Sequence, residues 1–352
     1  MPPLGVLIVL CGTVAGADDF VTIADWARAK EAWLRERLGL RLANGIPSHD
    51  TLTRVFALID PQQFHDGFLA WVAVAADRLK VKQIPIDGKT LRGSRKGACP
   101  AVHIVSAWAS EAGLTLAQVR TAEKSNEITA IPELLDLLDV SGALVSIDAA
   151  GCQKEIAEQV VTSGGDYLLA VKENQPKLYE QVTGHFAAEL DKAKSDSRVR
   201  CHQQTETGHG RTETRQTLAV PAPRTLVQSG VWAGLATLVM VLRESVDHTT
   251  GKKTEEVRYF ISSLPARAKR LAAAVRQHWG IENSLHWVLD VAFNEDRMRV
   301  RDRNALSNLA LLNRLAVSLL RQDHAVKAGV KCKRKRAGWD EAYLLHLLLG
   351  IQ

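Results

Sequence analysis

With 352 residues, 46% of them hydrophobic, the chain can bury a sizeable core and is not a disordered segment. Its 45 Lys and Arg against 39 Asp and Glu leave a formal charge of +6 and a pI near 9.1, a mild bias toward a polyanionic partner. The five cysteines, at 11, 99, 152, 201 and 332, form no CxxC pair, which argues against a disulfide framework or a cysteine zinc site and for a reducing cytoplasm.

Leu4 to Ala17 is apolar but lacks the positive flank of a signal peptide and is too short to span a bilayer, so a buried helix is expected. No other stretch has the length for a membrane. Residues 1–80 read as helical. Ile23 to Leu38 is one amphipathic run, Ser48 or Asp50 caps a helix from Thr51 to Ile59, and Phe64 to Leu79 is a third. The pattern changes at Val81. A short strand, Ile84 to Asp87, precedes a glycine-bearing turn from Gly88 to Gly93. Val102 to Ser110 and Leu114 to Ala122 form a hairpin. A helix (Asn126 to Leu138), a strand (Ala143 to Asp148), a helix (Gln153 to Ser163) and a strand (Asp166 to Lys172) follow, so the last two strands should be parallel. Lys177 to Phe186 is helical. Strands are expected at 199–207, 213–220, 235–244 and 255–262, and a helix from Pro265 to about Phe293. The expected layout is α/β, a mixed sheet flanked by helices. It divides into 1–80 (helical accessory region), 81–180 with 263–325 (catalytic domain), 181–262 (β-rich insertion) and 326–352 (basic tail and short helix).

Three carboxylates stand where a structural reason is hard to find. Asp87 and Asp148 each end an apolar strand at its C-terminal edge, the edge where α/β sheets bind ligands. On a regular α-helix Glu282 falls within about 20° of Leu271, Val275 and Leu289, in the core-facing stripe, with His278 and His286 four residues to either side. Taken singly, a strand-end Asp is a turn or cap residue and Glu282 a partner in a buried Glu–His bond. Together they read better as one site, because a carboxylate in an apolar setting needs a partner. Oxygen ligands without cysteine suit Mg²⁺ or Mn²⁺, and a pair of ions suits phosphoryl transfer.

Basic groups surround these positions. Lys89, Arg92 and Arg95 follow Asp87, either as phosphate contacts or as a solvated turn. Arg297, Arg299, Arg301 and Arg303 alternate after the glutamate helix, and Lys331, Lys333, Arg334, Lys335 and Arg336 cluster in the tail. Such runs are solvated faces or salt-sensitive phosphate contacts. The helix from Asp50 to Ile59 offers a weaker candidate for reading DNA.

Four stretches, in order, are Ile86-Asp87-Gly88-Lys89-Thr90-Leu91-Arg92-Gly93-Ser94, Glu123-Lys124-Ser125-Asn126-Glu127, Ile147-Asp148-Ala149-Ala150-Gly151-Cys152-Gln153 and His278-Trp279-Gly280-Ile281-Glu282-Asn283-Ser284. They resemble the bacterial insertion-sequence DDE transposases, in the subgroup of the H-repeat-associated proteins, over nearly the whole chain. The resemblance implies a ribonuclease H-like core with Asp87, Asp148 and Glu282 as catalytic residues and metal ligands, and a β insertion before the glutamate helix. It also implies metal-dependent cleavage and strand transfer of an insertion sequence, on double-stranded DNA at element ends and target. A homodimer in the DNA complex, and a cytoplasmic, nucleoid-associated location, are expected. A nuclease without strand transfer and a non-catalytic DNA-binding remnant are the alternatives. Candidate DNA contacts are Lys89, Arg92, Lys172, Asn174, His278, His286, Arg297, Arg299, Lys333 and Arg334, the two histidines acting behind the ligands or on phosphate. Two departures stand out. Family members usually carry a further segment before Leu4, so a truncated start is expected. Lys172-Glu173-Asn174 stands where they tend to have Lys-Gly-Asn.

Overall fold

The structure is a computed structural model that describes residues 2–77, 81–95, 100–121, 127–192, 197–208 and 210–349. Cys99, His209, the end of the expected helix at Leu79 and Glu123 to Asn126 of the second motif lie outside the described residues.

The first helices are α1 (Pro2–Val14), α2 (Phe20–Ala29), α3 (Glu31–Leu38), α4 (His49–Leu58) and α5 (Pro61–Asp77). The apolar start is a buried helix, with Ile8, Val9, Cys11 and Val14 fully covered. No helix among the described residues is long and apolar enough to cross a membrane. The run expected as one helix from Ile23 to Leu38 is two. α2 starts earlier, at an Asp19–Thr22 capping box, and the chain breaks at Lys30, where ψ turns to 17°. Ser48 caps α4 by accepting from the Thr51 N–H.

Next come β1 (Gln83–Leu91), β2 (Val102–Ala109), β3 (Leu114–Arg120), α6 (Glu127–Asp136), β4 (Leu144–Ile147), α7 (Lys154–Thr162), β5 (Asp166–Val171) and α8 (Pro176–Leu190). The glycine-bearing segment expected as a turn after Asp87 continues as strand to Leu91. Alternation explains it: Lys89 and Leu91 point inward and Thr90 outward. β6 (Arg200–Gly208), β7 (Arg211–Pro221), α9 (Arg224–Gln228), β8 (Thr237–Asp247) and β9 (Lys253–Ser262) follow. The chain closes with α10 (Ala268–His278), α11 (Trp287–Phe293), α12 (Arg303–Gln322), α13 (Val330–Trp339) and α14 (Glu341–Leu349). The nine strands form a mixed sheet in the order β3-β2-β1-β4-β5-β9-β8-β7-β6, with helices around it. β1, β4 and β5 are parallel, β2 and β3 an antiparallel hairpin, and β6 to β9 an antiparallel meander whose last strand pairs with β5.

The chain forms two compact units. One comprises residues 1–81, 88–124 and 281–352. Its core gathers α1, α2, α4, α11 and the long α12 around Phe56, Trp108, Leu285, Leu289 and Phe293. Asn308 on α12 donates to the carbonyls of Phe56 and Ile59, satisfying the end of α4. Arg314, also on α12, is fully buried. It donates to Glu295 at 2.9 Å, to Ser106 and to the Ala310 carbonyl. The other unit comprises residues 82–87 and 125–280. There α10 lays Leu271, Ala274 and Val275 on the sheet face formed by Leu144, Leu168, Val239 and Phe260. Gln83 pins that helix by donating to Ser146 Oγ and to the Ala274 carbonyl.

Candidate metal centre

Asp87 and Asp148 are placed by strand pairing. β1 and β4 run parallel with Ile86 opposite Ile147, and the next residue on each is an aspartate. Neighbouring strands lie about 4.8 Å apart, so the two carboxylates stand side by side, Asp87 within β1 and Asp148 just past the end of β4. Asp148 enters a tight loop. Its Oδ1 accepts from the N–H groups of Ala150 at 3.0 Å and Gly151 at 3.4 Å. Gly151 is required there, because a Cβ would come within 2.3 Å of Ile147 Cγ2 and 2.7 Å of Ile131 Cδ1. Burial, and then the Glu127 carboxylate, push the Asp148 pKa up. A cation nearby would relieve that charge.

Glu282 departs from the helix arithmetic. Leu271, Val275 and Leu289 are buried as expected, but the Glu282 side chain is 59% exposed. The segment is not a regular α-helix. Residues Glu282–His286 form a π turn, with the Trp287 N–H bonding back to the Glu282 carbonyl five residues earlier. One wide turn breaks the 100° phase and turns the carboxylate out of the core-facing stripe, a device common at functional sites. The His286 ring donates from Nδ1 to Glu282 Oε2 at 3.1 Å. That hydrogen bond, helped by the charge of Lys89, holds Glu282 below the usual carboxylate range.

Glu282 and His286, in one unit, form a hydrogen-bonded carboxylate–imidazole pair, and Asp87 and Asp148, in the other, follow paired strands. A carboxylate paired with an imidazole suits a divalent cation, with Mn²⁺ more tolerant of the nitrogen than Mg²⁺. His286 was expected behind the ligands, and the Glu-x-x-x-His spacing was its only signal in sequence.

The candidate DNA contacts divide sharply. Arg297 and Arg299 are exposed, as are Lys172 and Arg92, the last with Asp296 3.5 Å from its Nε. Four others are structural groups, which corrects their expected role. Lys333 is buried against the carbonyls of Leu320 and Asp323 and the Asp323 carboxylate. Arg334 is buried on Asp18 and the carbonyls of Thr13, Ala17 and Ala292. His278 is buried with Nδ1 3.2 Å from Ser146 Oγ. Lys89 is 7% exposed between Asp290 at 2.6 Å and Asp296 at 3.2 Å, two partners not singled out in sequence. Asn174 commits its amide to the Ala149 carbonyl at 2.7 Å, bracing the Asp148 loop. The tail cluster thus keeps only Lys331, Lys335 and Arg336 at the surface.

Residues 80–319 match the transposase DDE domain, and residues 5–72 the DDE_Tnp_1-associated family. The chain belongs to the DDE transposases. It is similar to the "H repeat-associated putative transposase YhhI" of Escherichia coli (strain K12), 38% identical over 98% of this chain and 91% of that protein. It is 40% identical to the "Putative transposase YncI" of Escherichia coli O157:H7 over 97% of this chain and 87% of that one. These place the transposase among the insertion-sequence DDE enzymes with the H-repeat relatives. A piggyBac transposase synaptic complex with hairpin DNA is similar over 99% of this chain and 72% of that chain, at 10% identity and a TM-score of 0.43.

Proposed function

We propose that this chain cuts DNA at the ends of an insertion sequence and joins the freed end to a target, at a divalent-metal site formed by Asp87, Asp148 and Glu282 on a ribonuclease H-like core. The match of residues 80–319 to the transposase DDE domain carries the reading. The adjacent register of Asp87 and Asp148 supports it. Bound Mg²⁺ or Mn²⁺, as a pair, would activate an attacking oxygen and stabilise the leaving one. Asp87 and Glu282 supply the hard oxygen ligands. His286 fixes the Glu282 rotamer from Nδ1 and keeps that carboxylate ionised. Asp148 adds a third negative charge from the neighbouring strand end, its Oδ1 steadied by two backbone N–H groups. Exposed Arg297, Arg299 and Lys172 are the groups we assign to DNA phosphates, and a homodimer would bring two element ends together.

The test is a labelled terminal-repeat duplex incubated with target DNA and Mg²⁺. Joined product is expected. Cleavage without joining would make the chain a nuclease, and DNA binding without metal-dependent cleavage would make it a non-catalytic remnant.

A further inference from the structure

A pocket of about 540 Å³ opens beside the π turn that carries Glu282, within the size range of small-ligand sites. Its wall includes Asn283, Trp287, Arg321, His324, Lys327 and Lys333. Trp287 is 58% exposed, although its chain neighbours Val288 and Leu289 are core residues. An indole left in water beside cations is a stacking platform in waiting. Arg321 donates from Nε to the Ser284 carbonyl at 2.9 Å, which fixes the guanidinium against the π turn. Lys327 is exposed and makes no ion pair among the described residues. The one acid in the wall, Asp323, is already neutralised: Lys333 lies 3.3 Å away and the Tyr343 hydroxyl donates to it at 2.7 Å. The wall therefore keeps a net positive charge, from Arg321 and Lys327, around an open aromatic face.

We propose that this pocket binds one unpaired nucleotide of a DNA strand, its base stacked on Trp287 and its phosphate held by Arg321 and Lys327. The occupant is unpaired because a base inside a duplex presents no free face to an indole. The strand is DNA because Asn283 of the pocket wall is the residue next to Glu282, which is assigned above to a DNA-cutting site. That last step rests on the function proposed above.

The test measures binding by the full chain in EDTA, where cutting cannot interfere. The probe is a single-stranded oligonucleotide carrying 2-aminopurine. Trp287→Ala should weaken binding on the order of 10- to 100-fold and abolish quenching of the probe, while Trp287→Phe retains most of both. Arg321→Gln and Lys327→Gln should each lower the slope of log affinity against log salt by about 0.7. Lys327 is a surface group, so its variant tests the site even where Arg321→Gln fails to fold. Unchanged affinity, quenching and salt slope in these variants would overturn the pocket, as would a wild-type chain that ignores the oligonucleotide. Competition by free deoxynucleoside monophosphate at equal concentration would overturn it too, reassigning the pocket to a small ligand. Metal-dependent cleavage of the duplex is read separately, so the pocket can fail while the proposed function stands.

Discussion

Acid should weaken this fold through His278. The ring is buried against Ser146, and burial lowers its pKa from 6.5 to about 4. The unfolded chain takes up the proton below about pH 6.5, whereas the fold refuses it until about pH 4. The contribution is therefore fully present above pH 6.5, falls as pH drops, and is gone near pH 4. Each pH unit is about 1.4 kcal/mol, so the drop from pH 6.5 to 5 removes about 2 kcal/mol. His278→Asn keeps a polar group near Ser146 and removes the titration. Urea unfolding at pH 7.5 and pH 5 should show the wild type losing about 2 kcal/mol more than the variant. Equal losses in both would refute a buried neutral imidazole and return His278 to the list of solvent-facing phosphate contacts.

Two further variants probe the scaffold. Arg314→Met strands Glu295 as a buried, unpaired carboxylate and should cost about 3–5 kcal/mol in urea unfolding, with Glu295→Gln in the same chain recovering much of the loss. A cost below about 1 kcal/mol would show that the pair is solvated. Gly151→Ala forces a methyl group onto Ile147 and Ile131 and should destabilise by about 1–3 kcal/mol while slowing cleavage, because the same loop aims Asp148. An unchanged unfolding midpoint would mean that the loop yields freely.

Of the two aspartates, Asp148 was legible as a strand-end residue, since β4 stops at Ile147. Asp87, expected at a strand end, lies inside β1, which runs on to Leu91. The parallel register still puts the two side by side. Glu282 was legible as an anomaly, but not where it points. The helical wheel assumes one phase throughout, and no residue in Glu282–His286 announces a π turn. The basic residues were read least well. Lys89, Lys333 and Arg334 look like solvated charges in sequence, yet each is buried on carboxylates or carbonyls from distant segments. Burial of a cation depends on partners that the local sequence does not contain. Lys30 shows the same limit for helices, since the amphipathic pattern runs through a break that only the backbone reveals.

The most direct measurement of the central claim pairs cleavage with binding, on one terminal-repeat duplex, for the wild type and for Asp87→Asn, Asp148→Asn and Glu282→Gln. The wild type should cut with Mg²⁺ or Mn²⁺ and not in EDTA. Each variant should bind the duplex as tightly as the wild type in EDTA and fail to cut it with metal. Cutting at the wild-type rate by any of the three would contradict the site.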